Sequence, residues 1–247
     1  SEFLRLERDP HQLGRELELL ERGSWVVIDE VQKVPALLDE VHRLIEKRGL
    51  RFVLCGSSAR KLKRSGANLL GGRASVLRMP PLLSVELSAA FDAERAMLLG
   101  TLPKAVLGDD AKRFLLAYAA LYLQEEIRAE ALTRNVGAFS RFLEVAARQN
   151  GQVTNVSNIA RDAGVGRTTV QNYFGILEDT LLGHWLQPWK LKPGNKQVAH
   201  PKFYLFDSGV ARALSGRLPY VPTAEECGPL LETLVGNEIR AYLERYH

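Results

Sequence analysis

Cysteine is scarce in this chain. Only Cys55 and Cys227 occur in 247 residues, far apart and in segments of different kind. With no CxxC pair and no Cys/His cluster, zinc is not expected, Cys55 reads as a small buried hydrophobe, and a reducing cytoplasm is the simplest setting. Long apolar runs are also lacking. None approaches the roughly 18–20 residues needed to span a bilayer, and no signal peptide is visible, so no membrane partner is expected. Charge of one sign is nearly balanced, at +4 overall, but residues 139–220 hold 10 basic against 5 acidic side chains. That bias raises the question of nucleic acid there. The last absence concerns chemistry. No GxxxxGK[ST] occurs anywhere, and Gly71-Gly72-Arg73 has neither the spacing nor the lysine of a phosphate-cradling loop.

What is present begins with Trp25–Pro35, WVVIDEVQKVP. Four apolar residues, all of them aromatic or β-branched, read as a short strand of a parallel sheet, buried on both faces. The strand ends in Asp29 and Glu30, and the carboxyl edge of such a sheet is where ligands bind. A helical stretch over Ala36–Lys47 leads to a second apolar run, Arg51–Cys55, which ends in Gly56-Ser57-Ser58. The spacing is that of a βαβ unit, so the two strands are expected to be parallel neighbours with their polar tips together. In a P-loop NTPase the first acid would hold Mg²⁺, the second could polarise water, and a serine hydroxyl could sense a γ-phosphate; the plain alternative is a strand that ends in a solvated Asp-Glu turn.

The runs VVIDEVQKVPALLDEVHRLIE, RFVLCGSSARKL, LLGGRA and MPPLLSVEL together resemble a family of bacterial AAA-type P-loop ATPases. In that family a winged-helix and PD-(D/E)XK-nuclease-like region of unknown function follows the ATPase core. The resemblance implies that Asp29 is the Walker B metal residue and Glu30 the catalytic glutamate. It implies that Ser57 or Ser58 is the sensor and Arg73 a candidate phosphate-contacting or sensor arginine. It further implies that the phosphate loop lies ahead of Ser1, so that ATP and Mg²⁺ are cofactors of an intact protein only. Glu232 and Glu238 match the opening helix of the nuclease-like region, whose remaining acids and lysine would lie past His247.

Taken in order, Glu2–Glu21 reads as one helix. Arg60–Arg64 is a basic run that reads as a solvated face, with phosphate contact as the alternative, and Val76–Met79 is a candidate third strand ended by Pro80-Pro81. Leu82–Ala90 opens a helical region. A long helix is expected over Ala111–Glu130, with Phe114, Leu115, Tyr118, Leu121 and Tyr122 on a core face and Glu125, Glu126 and Glu130 in an acidic patch. Another helix is expected over Phe139–Gln149.

Residues 156–173 fit a helix-turn-helix. Ala160 is small where the helices cross, Gly164 is free to take a positive φ at the turn, and Ile159, Ala163, Val165, Val170 and Tyr173 form the wedge between them. Two β-type runs, Leu181–Leu186 and Lys202–Phe206, flank a basic Gly/Pro loop and read as the hairpin of a winged helix. Arg167, Thr168, Gln171 and Asn172 on the second helix could meet base edges, and Lys190, Lys192 and Lys196 on the wing could meet phosphates. His184 and His200, beside the hairpin, read as structural.

The fold class expected is α/β: an incomplete parallel-sheet P-loop ATPase core, a helical region and a winged helix-turn-helix. Its divisions are expected over 1–95, 96–150, 151–220 and 221–247. The function expected is ATP-driven change acting on a domain that contacts double-stranded DNA. Two rivals stand beside it. One is a DNA-binding regulator with a scaffold-only ATPase half, and the other is an interaction module docking a protein partner or a second copy.

Overall fold

The computed structural model describes residues 2–56, 74–75, 77–122, 135–189 and 200–246. Its contacts divide the chain into two units, Ser1–Val76 with Asp179–Leu181, and Leu77–Glu178 with Leu182–His247. It mixes helices with two small sheets, as an α/β chain should.

In the first unit, α1 (Glu2–Arg8) and α2 (Gln12–Glu16) replace the single helix expected over Glu2–Glu21. Pro10 supplies the reason: it has no N–H for the helical ladder and disfavours helical backbone at Asp9. Strand β1 (Trp25–Ile28), helix α3 (Leu37–Arg48) and strand β2 (Arg51–Leu54) follow. The strands are parallel, with Trp25 opposite Arg51 and Ile28 opposite Leu54. Gly49, left-handed, closes α3 and lets the chain enter β2.

Leu37, Val41 and Leu44 of α3 pack with Leu6, Leu13, Val34 and Leu50, and Ile28, Phe52 and Leu54 of the strands lie against that core. Glu40, buried on the same helix, is held by Arg43 (Nε to Oε2, 2.8 Å) and His11 (2.9 Å). The Arg43 hydrogen bonds, more than His11, hold its carboxyl down at about 2. Arg48 then fastens the end of α3 to the chain before β1 by donating to the carbonyls of Leu17, Glu18 and Leu20.

The sheet is covered on one face only, against the expectation of burial on both. Trp25 is 63% and Val27 67% exposed, and Cys55 is exposed rather than buried. Alternation along both strands turns every second side chain away from α3, and no described element of this unit packs on that side. The third strand expected over Val76–Met79 is not formed at Leu77–Met79, where Leu77 and Met79 stand in solvent.

The second unit opens with short helices: α4 (Ser84–Leu87), continued by a 3₁₀ turn over Ser88–Ala90, α5 (Ala93–Leu99) and α6 (Pro103–Leu107). Helix α7 (Ala111–Ala117) passes into a π-helical segment, Tyr118–Tyr122, where one continuous α-helix was expected. Leu115, ahead of that segment, is buried, whereas Leu121, within it, points to solvent. The rest of that expected helix, with Glu125, Glu126 and Glu130, lies outside the described residues.

Helix α8 (Val136–Arg148) is followed by α9 (Val156–Ala163) and α10 (Arg167–Asp179). Asn155 caps α9 by accepting from the N–H groups of Ser157 and Asn158. Gly164 turns the chain into α10 with φ 65° and ψ 40°, the left-handed backbone its position requires. Strands β3 (Gly183–Leu186) and β4 (Lys202–Leu205) pair antiparallel, and Val153 bridges Lys202 on the outer edge of β4.

These elements meet in an aromatic core. Phe142 lies 4.9 Å from Phe174, and Phe174 lies 4.7 Å from both Trp185 and Phe203. Edge-to-face and tilted pairs of this kind add to the burial of their area. Helices α11 (Ser208–Leu214) and α12 (Ala224–Tyr246) complete the unit. Asn150 accepts from Leu205 N–H and donates to Thr233, tying β4 to α12. Arg212, buried, pairs with Glu226 at 2.8 Å and donates to the carbonyls of Arg217 and Tyr220.

Asp207 caps α11 through Val210 N–H (2.9 Å) and also accepts from Thr101 N–H (2.8 Å), joining the α5–α6 turn to the end of β4. Burial pushes its carboxyl up to about 6, although the backbone N–H groups of Val210, Thr101, Gly209 and Leu102 pull the other way. The folded unit thus binds this proton more tightly than the unfolded chain. The resulting stability is complete below the unfolded value of 3.8 and is lost as pH rises through about 6. Unfolding of the second unit, followed by denaturant titration, should lose about 2 kcal/mol from this group between about pH 4.5 and pH 7. Asp207→Asn should be less stable throughout and should lose that part of the pH dependence.

Candidate functional site

The acids that end β1 sit at the carboxyl edge of the parallel pair. Val31 N–H donates to Cys55 O at 3.1 Å and Cys55 N–H to Ile28 O at 2.9 Å, so the ladder runs on past both strands. Between these bonds the chain turns sharply at Glu30, which takes φ 55° and ψ 38° although it is not glycine. Left-handed backbone costs an L-residue roughly 1–2 kcal/mol. Strain of this kind collects where a site demands one geometry.

Asp29 is exposed, and one of its oxygens accepts Glu30 N–H at 3.0 Å. The Glu30 carboxylate is held from within by Gln32 Nε2 (3.1 Å) and from the solvent side by Lys33 Nζ (3.3 Å). Both partners lie in the 3₁₀ turn Val31–Lys33. Neither Gln32 nor Lys33 is among the candidate site residues named from the sequence. The signal available was their place two and three residues after Glu30, the reach of a tight turn.

Among the described residues, no group of three or more His, Cys, Asp or Glu could hold a metal alone. One exposed carboxylate beside a second is nevertheless a fitting ligand for Mg²⁺, which takes few protein oxygens and completes its shell with water and phosphate. Phosphate contacts are less well provided, since the sequence has no GxxxxGK[ST]. The candidate sensors Ser57 and Ser58 and the candidate Arg73 lie outside the described residues.

On α10 of the second unit, Arg167, Thr168, Gln171 and Asn172 are all exposed, and Val170 and Tyr173 between them are buried. The four polar residues therefore share one solvent face. Lys190, Lys192 and Lys196 lie outside the described residues. His184 stacks on Tyr204 with ring centres 5.8 Å apart, and burial, aided by Arg240, pushes it down to about 4. It is neutral at pH 7. His200 is exposed.

Glu232 receives Lys202 Nζ (2.7 Å) and the Tyr204 hydroxyl (2.6 Å), and Glu238 receives the N–H and Oγ of Ser84. The two acids that the resemblance assigned to a nuclease-like helix thus bind neighbouring side chains and backbone of their own unit.

Residues 2–88 match a family model described as an AAA domain, which marks this stretch as an AAA-type ATPase-like region. Residues 90–220 match a second model, described as a domain of unknown function, DUF8612. The chain is similar to two uncharacterized mycobacterial proteins, Rv2008c of Mycobacterium tuberculosis and Mb2031c of Mycobacterium bovis. Identity to each is 26% over 199 residues, which is 78% of this chain and 45% of the relative. The chain therefore spans less than half the length of the curated relatives it matches. No solved structure matches it.

The strain at Glu30 can be measured apart from any chemistry. Glu30→Gly and Glu30→Ala both remove the carboxylate, but only glycine takes the left-handed turn freely. In chemical denaturation of the first unit, the glycine variant should be the more stable of the two by about 1 kcal/mol. Equal stabilities would mean that the turn relaxes in solution.

Proposed function

The chain belongs to the DUF8612 family, whose model matches more than half its length, and from the AAA-type ATPase-like region joined to that match we propose an ATP-driven protein whose second unit contacts double-stranded DNA. The observation that carries the ATPase reading is the pairing of Asp29 and Glu30 at the tip of one parallel strand, next to Gly56 at the tip of the other. Asp29 would hold Mg²⁺ together with nucleotide oxygens. Mg-ATP, when bound, supplies the phosphoryl group. Glu30 orients the attacking water and accepts its proton, and Ser57 or Ser58, with Arg73, would face the phosphates. Two free cysteines and the lack of any described helix able to cross a membrane suit a reducing cytoplasm.

For the second unit, the order α8, Val153, α9, α10, β3, β4 supports a winged helix. The shared polar face of Arg167, Thr168, Gln171 and Asn172 supports contact with base edges, with Lys190, Lys192 and Lys196 of the wing on phosphates. Protein partners or a second copy are the rival occupants of this face.

The 247-residue chain is expected to show no Mg²⁺-dependent ATP hydrolysis on its own, because nothing in it matches a phosphate loop. In the full-length protein, Glu30→Gln should keep ATP bound and lose turnover, while Asp29→Ala should also weaken Mg²⁺ binding. Steady-state hydrolysis and equilibrium nucleotide binding separate the two. Wild-type turnover in both variants would reduce the acids to a simple turn.

DNA contact has its own test. Removing Lys192 or Lys196 should weaken binding to every duplex alike and flatten the salt slope by about one each. Removing Arg167 should cost roughly 1–3 kcal/mol on a preferred site and little on random DNA. If the wild type binds neither duplex at about 50 mM salt, the face docks protein instead.

A further inference from the structure

Glu30 has two partners, and they are not equivalent. Lys33 approaches from solvent with more than half of its side chain exposed, so water and salt screen it. Gln32 is 4% exposed, and it donates to Glu30 Oε2 from inside the turn. Its other amide atom lies against the second strand. A Cβ built at Gly56 would overlap Gln32 Oε1. The amide therefore fills the space between the two strand ends, touching the acid that follows β1 on one side and the backbone that follows β2 on the other.

The turn that carries Gln32 has little freedom. Val31 N–H is tied to Cys55 O and Lys33 N–H to Glu30 O, at 3.1 and 2.9 Å.

We propose that Gln32 is the positioning residue for Glu30: its buried amide sets the carboxylate's place and links it to the tip of β2 at Gly56. Glycine stands at position 56 because any side chain there would displace that amide. Movement of the β2 tip is then passed through one side chain to the acid that orients water. The proposal rests on the ATPase reading for its consequence but not for its geometry.

Two variants test it in the full-length protein. Gln32→Leu removes the amide, and Gly56→Ala leaves the glutamine in place but pushes it aside. Both should lower kcat at least tenfold and leave KM for ATP within twofold, with thermal melts checking that each variant folds. Should Gln32→Leu fail to fold, Gly56→Ala decides. A kcat within twofold of the wild type in a folded variant overturns the proposal, as does a loss seen in KM alone.

If the wild-type protein hydrolyses no ATP, the ATPase reading fails. The positioning claim is then settled on the 247-residue chain by NMR. The Gln32 side-chain amide signals should shift in Glu30→Gln, which removes the carboxylate, and in Gly56→Ala, which pushes the amide aside. Amide signals unmoved in both folded variants overturn it.

Discussion

The first unit depends on one backbone hydrogen bond, from Val31 N–H to Cys55 O. To reach that carbonyl the chain must leave β1, pass two carboxylates and double back within three residues. Only a left-handed residue between Asp29 and Val31 allows it, and Glu30 takes that conformation at a cost. The bond extends the parallel ladder beyond the strands, and it also decides where both acids point. Gln32 and Lys33 gather round the Glu30 carboxylate as a result of the same turn.

The second unit is held together differently. Its apolar centre is aromatic, built on Phe142, Phe174, Trp185 and Phe203. Its polar fastenings converge on α12. Glu232 grips Lys202 and Tyr204 of β4, Asn237 donates to the carbonyls of Leu205 and Phe206, Glu238 grips Ser84, and Glu244 grips Arg78 and Arg240. Successive grips along one rigid helix join the hairpin to the segment that opens the unit. Exposed ion pairs contribute little singly. Here the donors include a backbone N–H and part-buried hydroxyls, whose loss would leave unsatisfied groups.

Much of this was legible in the residues. WVVI and RFVL declared strands because β-branched and aromatic side chains favour extended backbone, and the helix between them required parallel pairing. Gly164 marked the end of α9 by chemistry that only local backbone demands. What escaped was tertiary. Alternation cannot say which strand face finds a neighbour, so Trp25, Val27 and Cys55 were placed inside and proved exposed. Helical spacing cannot announce a π turn, so Leu121 was assigned to the core. The role of Gln32 needed the second strand tip, which lies 24 positions further on at Gly56. Asp207 caps α11 locally, but its hold on Thr101 spans 106 residues and no local pattern encodes it.

Trp25 stands on the uncovered face of β1 with the Arg51 guanidinium 5.6 Å from its ring centre. Of the three tryptophans in the chain it alone belongs to the first unit, and Trp185 lies in the aromatic centre of the second. The second unit carries two indoles, Trp185 partly buried in its aromatic centre and Trp189 87% exposed, and Trp25 is a third, wet and cation-flanked. Anything that settles on the open face of β1 will shift Trp25 to the blue, which turns an exposed indole into an optical gauge of what the sheet acquires.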